Sequence, residues 1–192
     1  MKLKFFISLF LLAPLFVSAQ KTNVVHQIKI KKQQYDSLRI IQMEDILVYA
    51  KIAGQTELIL FNGDEWPDSI EYSCNVLKDK SGTVLLISVY PFSISGDWFV
   101  AFTHYFDEQG KTFAFERLTS FYNSGCTDDM VTETIIKYFN SDFNEVKNFY
   151  SLTGPNNIPL KKSKCELLYE FEYSVYKNSD EVMKANFIST IK

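Results

Sequence analysis

The residue types that could do chemistry are few, and they gather around Cys126. It follows Gly125 in the polar stretch Asn123-Ser124-Gly125-Cys126-Thr127-Asp128. A cysteine attacks as its thiolate and needs a neighbouring imidazole to form one. His104 is the available base, and Asp128 is the carboxylate that would orient it. That trio would make the chain a hydrolase with Cys126 as nucleophile. The spacing between positions 104 and 126 does not by itself bring them together, and a structural role competes for each. His104 alternates with Trp98, Val100, Phe102 and Phe106 as one face of a strand, and Cys126 is available for a disulfide.

Cysteine arithmetic favours the disulfide. The chain has three cysteines, so at most one internal pair forms and one thiol is left over. Ile70, Tyr72, Cys74 and Val76 alternate along a strand, which makes Cys74 a small core residue. Cys126 and Cys165 both sit in polar, loop-forming stretches and can approach without disturbing a sheet. The expected bridge is Cys126–Cys165.

Other chemistries find less support. His26 and His104 are the only histidines, and neither has a second nitrogen or sulfur ligand at a metal spacing. Asn62-Gly63-Asp64-Glu65 and Asp128-Asp129 offer oxygen atoms but lack the regular acidic repeat of a calcium loop. No glycine-rich dinucleotide loop, phosphate loop or serine-nucleophile elbow occurs, so no cofactor and no metal are expected. Glu116 and Glu133 fall within strand patterns, where exposed acids are common. Glycosidase work would require them at a defined separation.

Aromatic content is the unusual property: 17 Phe, 11 Tyr and 2 Trp make up 16% of the chain. Phenylalanine mostly fills cores, whereas Tyr and Trp carry a polar tip on a flat apolar body. Trp66 lies in the polar run Asp64-Glu65-Trp66-Pro67-Asp68. Either it folds back as a lid on the sheet, the commoner fate of so large a ring, or it stands exposed as a contact residue for sugars, peptides or proteins.

These residues must be positioned by strands. From Ile70 to Leu152, aromatic and β-branched runs alternate with turn chemistry, the signature of antiparallel pairing. Asp79-Lys80-Ser81-Gly82 separates Ile70–Leu77 from Thr83–Tyr90, and Asp107-Glu108-Gln109-Gly110 separates Trp98–Phe106 from Thr112–Tyr122. In both turns Asp accepts from the amides that follow it and Gly takes the left-handed position. Ser141–Asn144 divides Val131–Phe139 from Glu145–Leu152. Both faces of Trp98–Phe106 are apolar, so both should be covered, by curling of the sheet or by a helix. Residues 36–53 fit a helix capped by Asp36 and Gly54, yet 46–61 fits two strands equally well. Residues 20–34 are expected to be a loose lead-in or an edge strand, and Lys29, Lys31 and Lys32 a solvated face. Ser179-Asp180 should open a short helix, Glu181 to Phe187.

The N-terminus has the three parts of an export signal. Lys2 and Lys4 precede the apolar run Phe5–Val17, and Val17-Ser18-Ala19 places small or modest residues at the cleavage positions. The ending Ser-Ala-Gln-Lys resembles exported bacterial proteins. The run is too short to span a bilayer, which takes about 20 apolar residues. Residues 1–19 are therefore expected to be a signal peptide and 20–192 a single globular domain that works in the periplasm or outside the cell. No membrane span is expected after cleavage. The formal net charge of −3 disfavours nucleic acid, whose phosphates require a clustered positive face.

The expected fold is α+β and mainly antiparallel β: a curled meander of six or more strands with one or two packed helices. The expected function is a non-enzymatic binding or interaction module, its partner an envelope protein or a glycan. The alternatives are an exported hydrolase using Cys126 with His104, or a carrier of a small apolar ligand.

Overall fold

The computed structural model describes residues 13–63, 66–67, 69–122, 124–167 and 171–186, with side chains from Val24 onward. A long helix α1 (Ala13–Ile41) leads into β1 (Leu47–Ile52) and β2 (Ile59–Phe61). Six longer strands follow: β3 (Ile70–Lys78), β4 (Val84–Pro91), β5 (Trp98–Phe106), β6 (Thr112–Phe121), β7 (Val131–Phe139) and β8 (Glu145–Thr153). A short helix α2 (Ser179–Ala185) lies near the C-terminus. The eight strands form one antiparallel sheet in the order β2-β1-β3-β4-β5-β6-β7-β8, with β2 and β8 as its edges. This is the expected α+β meander, extended by β1 and β2.

Turn chemistry builds the hairpins as expected. Asp79 Oδ1 accepts from the amides of Ser81 (2.8 Å) and Thr83 (2.9 Å), and Asp107 Oδ1 from those of Gln109 (3.0 Å) and Lys111 (2.8 Å). The β7–β8 hairpin repeats the device in another form. Asn140 Oδ1 accepts from Asp142 N and Asn144 N, and Phe143 takes the left-handed position at φ 62°. That conformation costs a non-glycine residue roughly 1–2 kcal/mol. The Phe143 ring stacks on Phe139 at 4.6 Å, which offsets part of the cost.

One face of the sheet packs under α1. Leu77, Leu86, Tyr105, Ala114 and Tyr138 meet Tyr35 there, with Ile28 and Leu38 half-buried beside them. The other face is covered by the C-terminal segment, most of it without regular structure. Phe171 packs on Trp98 (4.7 Å between centroids), Tyr173 stacks on Phe115 (5.2 Å), and Val182 of α2 is fully buried against Val76, Ile87 and Phe106. Both faces of β5 are thus covered, one by a helix and one by this strap. Asn178 caps α2 by accepting from Glu181 N at 2.9 Å.

Two expectations about residues 20–34 need correction, and the open choice for residues 36–61 is resolved. Residues 20–34 are helical rather than a loose lead-in or a strand. Asp36 sits inside α1 rather than capping a later helix, and residues 46–61 take the strand alternative. Lys32 is buried rather than solvated. The two corrections share one cause, since Lys32 occupies the middle of the stripe Ile28–Lys32–Tyr35 that faces the sheet. A lysine there hides the apolar period by which a helix is read.

Helix α1 runs through Ala19–Gln20 without a break. Its described tertiary contacts come from Ile28 and residues after it, so removal of residues 1–19 takes none of them away. Residues 1–12 of the expected leader lie outside the described residues.

Candidate functional site

The three residues of the nucleophile reading lie apart. Cys126 is bonded to Cys165, so its thiol is spent. The bridge packs beside Phe121, Val131 and Leu152 at the Trp98 end of the sheet. His104 lies six residues further along β5, roughly 20 Å at ~3.3 Å per residue. Asp128 is exposed in the β6–β7 connection, while His104 is buried under the strap. The remaining cysteine, Cys74, is fully buried, and burial pushes its thiol up to about 12, which makes it a poor nucleophile.

His104 holds the strap. Its Nε2 accepts the Tyr176 backbone N–H at 3.1 Å, so the ring is neutral and Nδ1 carries the proton. The ring sits edge-on to Phe115, with centroids 4.9 Å apart, and Nδ1 is buried without a partner. Burial lowers its pKa from 6.5 to about 3. A base depressed in the folded state binds fewer protons there than in the unfolded chain. Stability is therefore complete above pH 6.5 and falls as the pH drops from 6.5 towards 3, at up to about 1.4 kcal/mol per pH unit from this group. Urea titrations across that window should show the slope, and His104→Gln should flatten it. An equal slope in both proteins would refute the assignment.

The strand carboxylates do not form a pair. Glu116 lies opposite Ile136 and Glu133 opposite Thr119 in the β6–β7 register, which places them on opposite faces. Glu116 accepts from Lys32 of α1 at 2.5 Å. Glu133 bonds Arg117, whose guanidinium lies 5.3 Å from the Tyr173 ring. Each acid is committed to a structural ion pair. Among the described residues no group of three His, Cys, Asp or Glu side chains is placed to hold a metal. Asp64 and Glu65 lie outside the described residues.

Exposed Trp66, Phe92 and Phe99 lie at the opposite end of the sheet from the Asp-x-x-Gly turns, whereas exposed Phe149 and Tyr150 belong to edge strand β8. Trp66 does not fold back as a lid. Its ring lies flat on Phe61 of β2, with centroids 4.4 Å apart and planes at 7°, and 53% of the residue is exposed. Phe61 thus fixes the indole from behind. Beside it open two adjoining compartments, about 370 and 880 Å³, which share Trp66, Ile70 and Phe92. Tyr90 and Phe99, 5.8 Å apart, line the smaller one, and Ile94, 96% exposed, borders the larger.

Local sequence explains this groove. Pro91 ends β4, because proline cannot donate to the ladder. Phe92 N bonds Glu71 O at 3.0 Å, which turns the chain across the end of β3. Ser93 Oγ accepts from Gly96 N at 3.0 Å, and Gly96 takes φ 72°, so the 92–97 loop is tied back on itself. Trp66 was legible as a candidate because a large ring in a polar loop is conspicuous. Phe92 and Ile94, large apolar residues in a serine-rich turn, carry the same signal. Tyr90, Phe99 and Ile70 required the cross-strand register.

Groove volumes of this size are those of small-molecule and peptide sites, which are mostly apolar with a few polar groups. Among the described residues no helix is long and apolar enough to cross a membrane. The Cys126–Cys165 bridge is compatible with an oxidising compartment. No protein-family model, no characterised protein and no solved structure matches this chain.

Proposed function

We propose that the chain is a non-enzymatic binding module, working outside the cytoplasm, that holds its partner in the groove beside Trp66. The observation that carries this reading is an exposed aromatic groove whose principal ring is already immobilised by stacking on Phe61. A pre-positioned ring loses little conformational entropy on binding. Soluble monomers rarely leave contiguous apolar surface open without a use for it. The export-type leader and the disulfide agree with work in the envelope or beyond it, where an envelope protein or a glycan is the partner.

The test is a binding screen against glycans and envelope-protein peptides, run with the wild-type protein and with Trp66→Ala. The replacement should weaken binding about 30-fold, the effect of losing a central aromatic anchor. Because Trp66 belongs to no buried cluster, its melting temperature should fall by no more than a few degrees. A partner bound equally well by both proteins would overturn the groove as the site.

A further inference from the structure

A separate cavity opens on the face of the sheet that the strap covers. It holds about 240 Å³, below the roughly 300–1,000 Å³ of sites for drug-sized ligands, so it suits a small molecule. His104, 3% exposed, forms part of its floor, and Nδ1 of that ring is the buried donor without a partner. Tyr72, Phe102 and Tyr176 bring half-buried rings to its walls. Glu71 and Glu172 line it too, and both are exposed, which places them at its mouth. Neither carboxylate forms an ion pair among the described residues. Among those residues no lysine or arginine lines the cavity. Arg117 and Lys137, which approach the Tyr173 ring of the strap, are each paired with an acid of their own, Glu133 and Glu145. The cavity shares Glu71 and Pro91 with the Trp66 groove and is otherwise lined by different residues.

We propose that this cavity binds a small hydroxyalkyl-ammonium of the choline class, its methylated nitrogen among the rings and carboxylates at the mouth and its hydroxyl oxygen on His104 Nδ1. A quaternary ammonium has no N–H to donate, so aromatic rings and negative charge are what hold it. The three rings and the two unpaired carboxylates supply both. The floor asks for something different. A buried N–H without an acceptor costs about 1–3 kcal/mol, which an entering oxygen recovers. Because Nε2 accepts from Tyr176, the His104 ring is neutral and sets no positive charge against the ammonium. Tyr72 is protonated, since burial first, with the Glu71 carboxylate adding to it, pushes its hydroxyl up to about 12. An anionic ligand would meet Glu71 and Glu172, and a purely apolar one would leave Nδ1 unmet. In a choline phospholipid the same oxygen is esterified to phosphate, so the free amino alcohol is the form that fits.

Calorimetric titration of the purified protein tests this with four probes: choline, its uncharged isostere 3,3-dimethylbutanol, tetramethylammonium and phosphocholine. Choline should bind about tenfold tighter than the uncharged isostere, the effect of a desolvated cation on aromatic faces. It should bind about threefold tighter than tetramethylammonium, which has no oxygen for Nδ1. It should bind about tenfold tighter than phosphocholine, whose phosphate meets the carboxylates. The double variant Glu71→Gln, Glu172→Gln, at two exposed positions, should weaken choline about tenfold and leave the uncharged isostere unchanged. In NMR of the nitrogen-labelled protein, the His104 Nδ1–H resonance should move when choline is added. Trp66→Ala should leave choline affinity intact, which separates this cavity from the groove. The assignment falls if choline does not bind, or if any other probe binds as tightly. It falls equally if the double variant holds choline as well as the parent does, or if the Nδ1–H resonance stays in place. Loss of choline binding in Trp66→Ala would move the ligand to the groove and overturn the cavity as its site.

Discussion

Replacing Lys32 by alanine lowers the stability of this protein by about 3 kcal/mol, the low end of the cost of breaking a buried ion pair, because the partly buried Glu116 carboxylate loses its counter-charge. Lys32 Nζ lies 2.5 Å from Glu116 and 2.9 Å from Asp36, and 4.6 Å from the centre of the Tyr105 ring. Tyr105 donates its hydroxyl to the second oxygen of Asp36 at 2.7 Å. Burial alone would depress the lysine's pKa, but the Glu116 and Asp36 carboxylates outweigh burial and raise it. The ammonium is therefore charged in the folded state, and every group around it is arranged for that charge. Removing it strands Glu116 between α1 and β6. The paired replacement Lys32→Met, Glu116→Gln removes both charges at similar volume and should be less destabilising than Lys32→Ala. Urea denaturation of the three proteins decides the matter. A loss below 1 kcal/mol for Lys32→Ala would mean that the network contributes nothing to docking α1.

The second large effect comes from the Cys126–Cys165 bridge. It closes a loop of sequence separation 39, and the chain-entropy relation gives about 4 kcal/mol for a loop of that length. Replacing both cysteines by alanine should lower the melting temperature by roughly 10 °C in a domain of this size. The loss should be greater locally than that figure suggests. The bridge fastens the start of the C-terminal strap to the β6–β7 connection, beside Leu152, Leu160 and Leu167. Hydrogen exchange in residues 171–178 should therefore rise more than in β3 or β4. A melting temperature within 2 °C of the parent would show that the strap is held by its aromatic contacts and the His104 bond alone.

The strands were legible from Ile70 to Thr153 because one physical signal repeats there. Each Asp-x-x-Gly turn announces the ends of two strands, and the β-branched and aromatic runs between them leave no competing periodicity. The bounds of β5 and β7 match the expectation residue for residue. The disulfide was legible because Cys74 had a place in a strand and the other two cysteines did not. Helix α1 was not legible. Its sheet-facing stripe contains a lysine whose partner, Glu116, lies on a strand far along the chain, and a sequence gives no sign that such a lysine is buried. The β7–β8 turn was placed correctly, but its mechanism was hidden, because Asn140 and Phe143 stand where the other hairpins have Asp and Gly. The groove was half legible. Trp66, Phe92 and Ile94 are conspicuous in the sequence, but their convergence follows from the pairing of β2, β1, β3 and β4, which only the fold reveals.

The strand order carries one more consequence. Because each strand from β4 onward pairs with the one made just before it, a polypeptide delivered N-terminus first from a ribosome or a narrow pore can zip each arriving strand onto an edge already waiting. Helix α1 is the exception. It emerges first, yet must linger undocked until β6 brings Glu116 within reach of Lys32, so the earliest part of the molecule is among the last to settle.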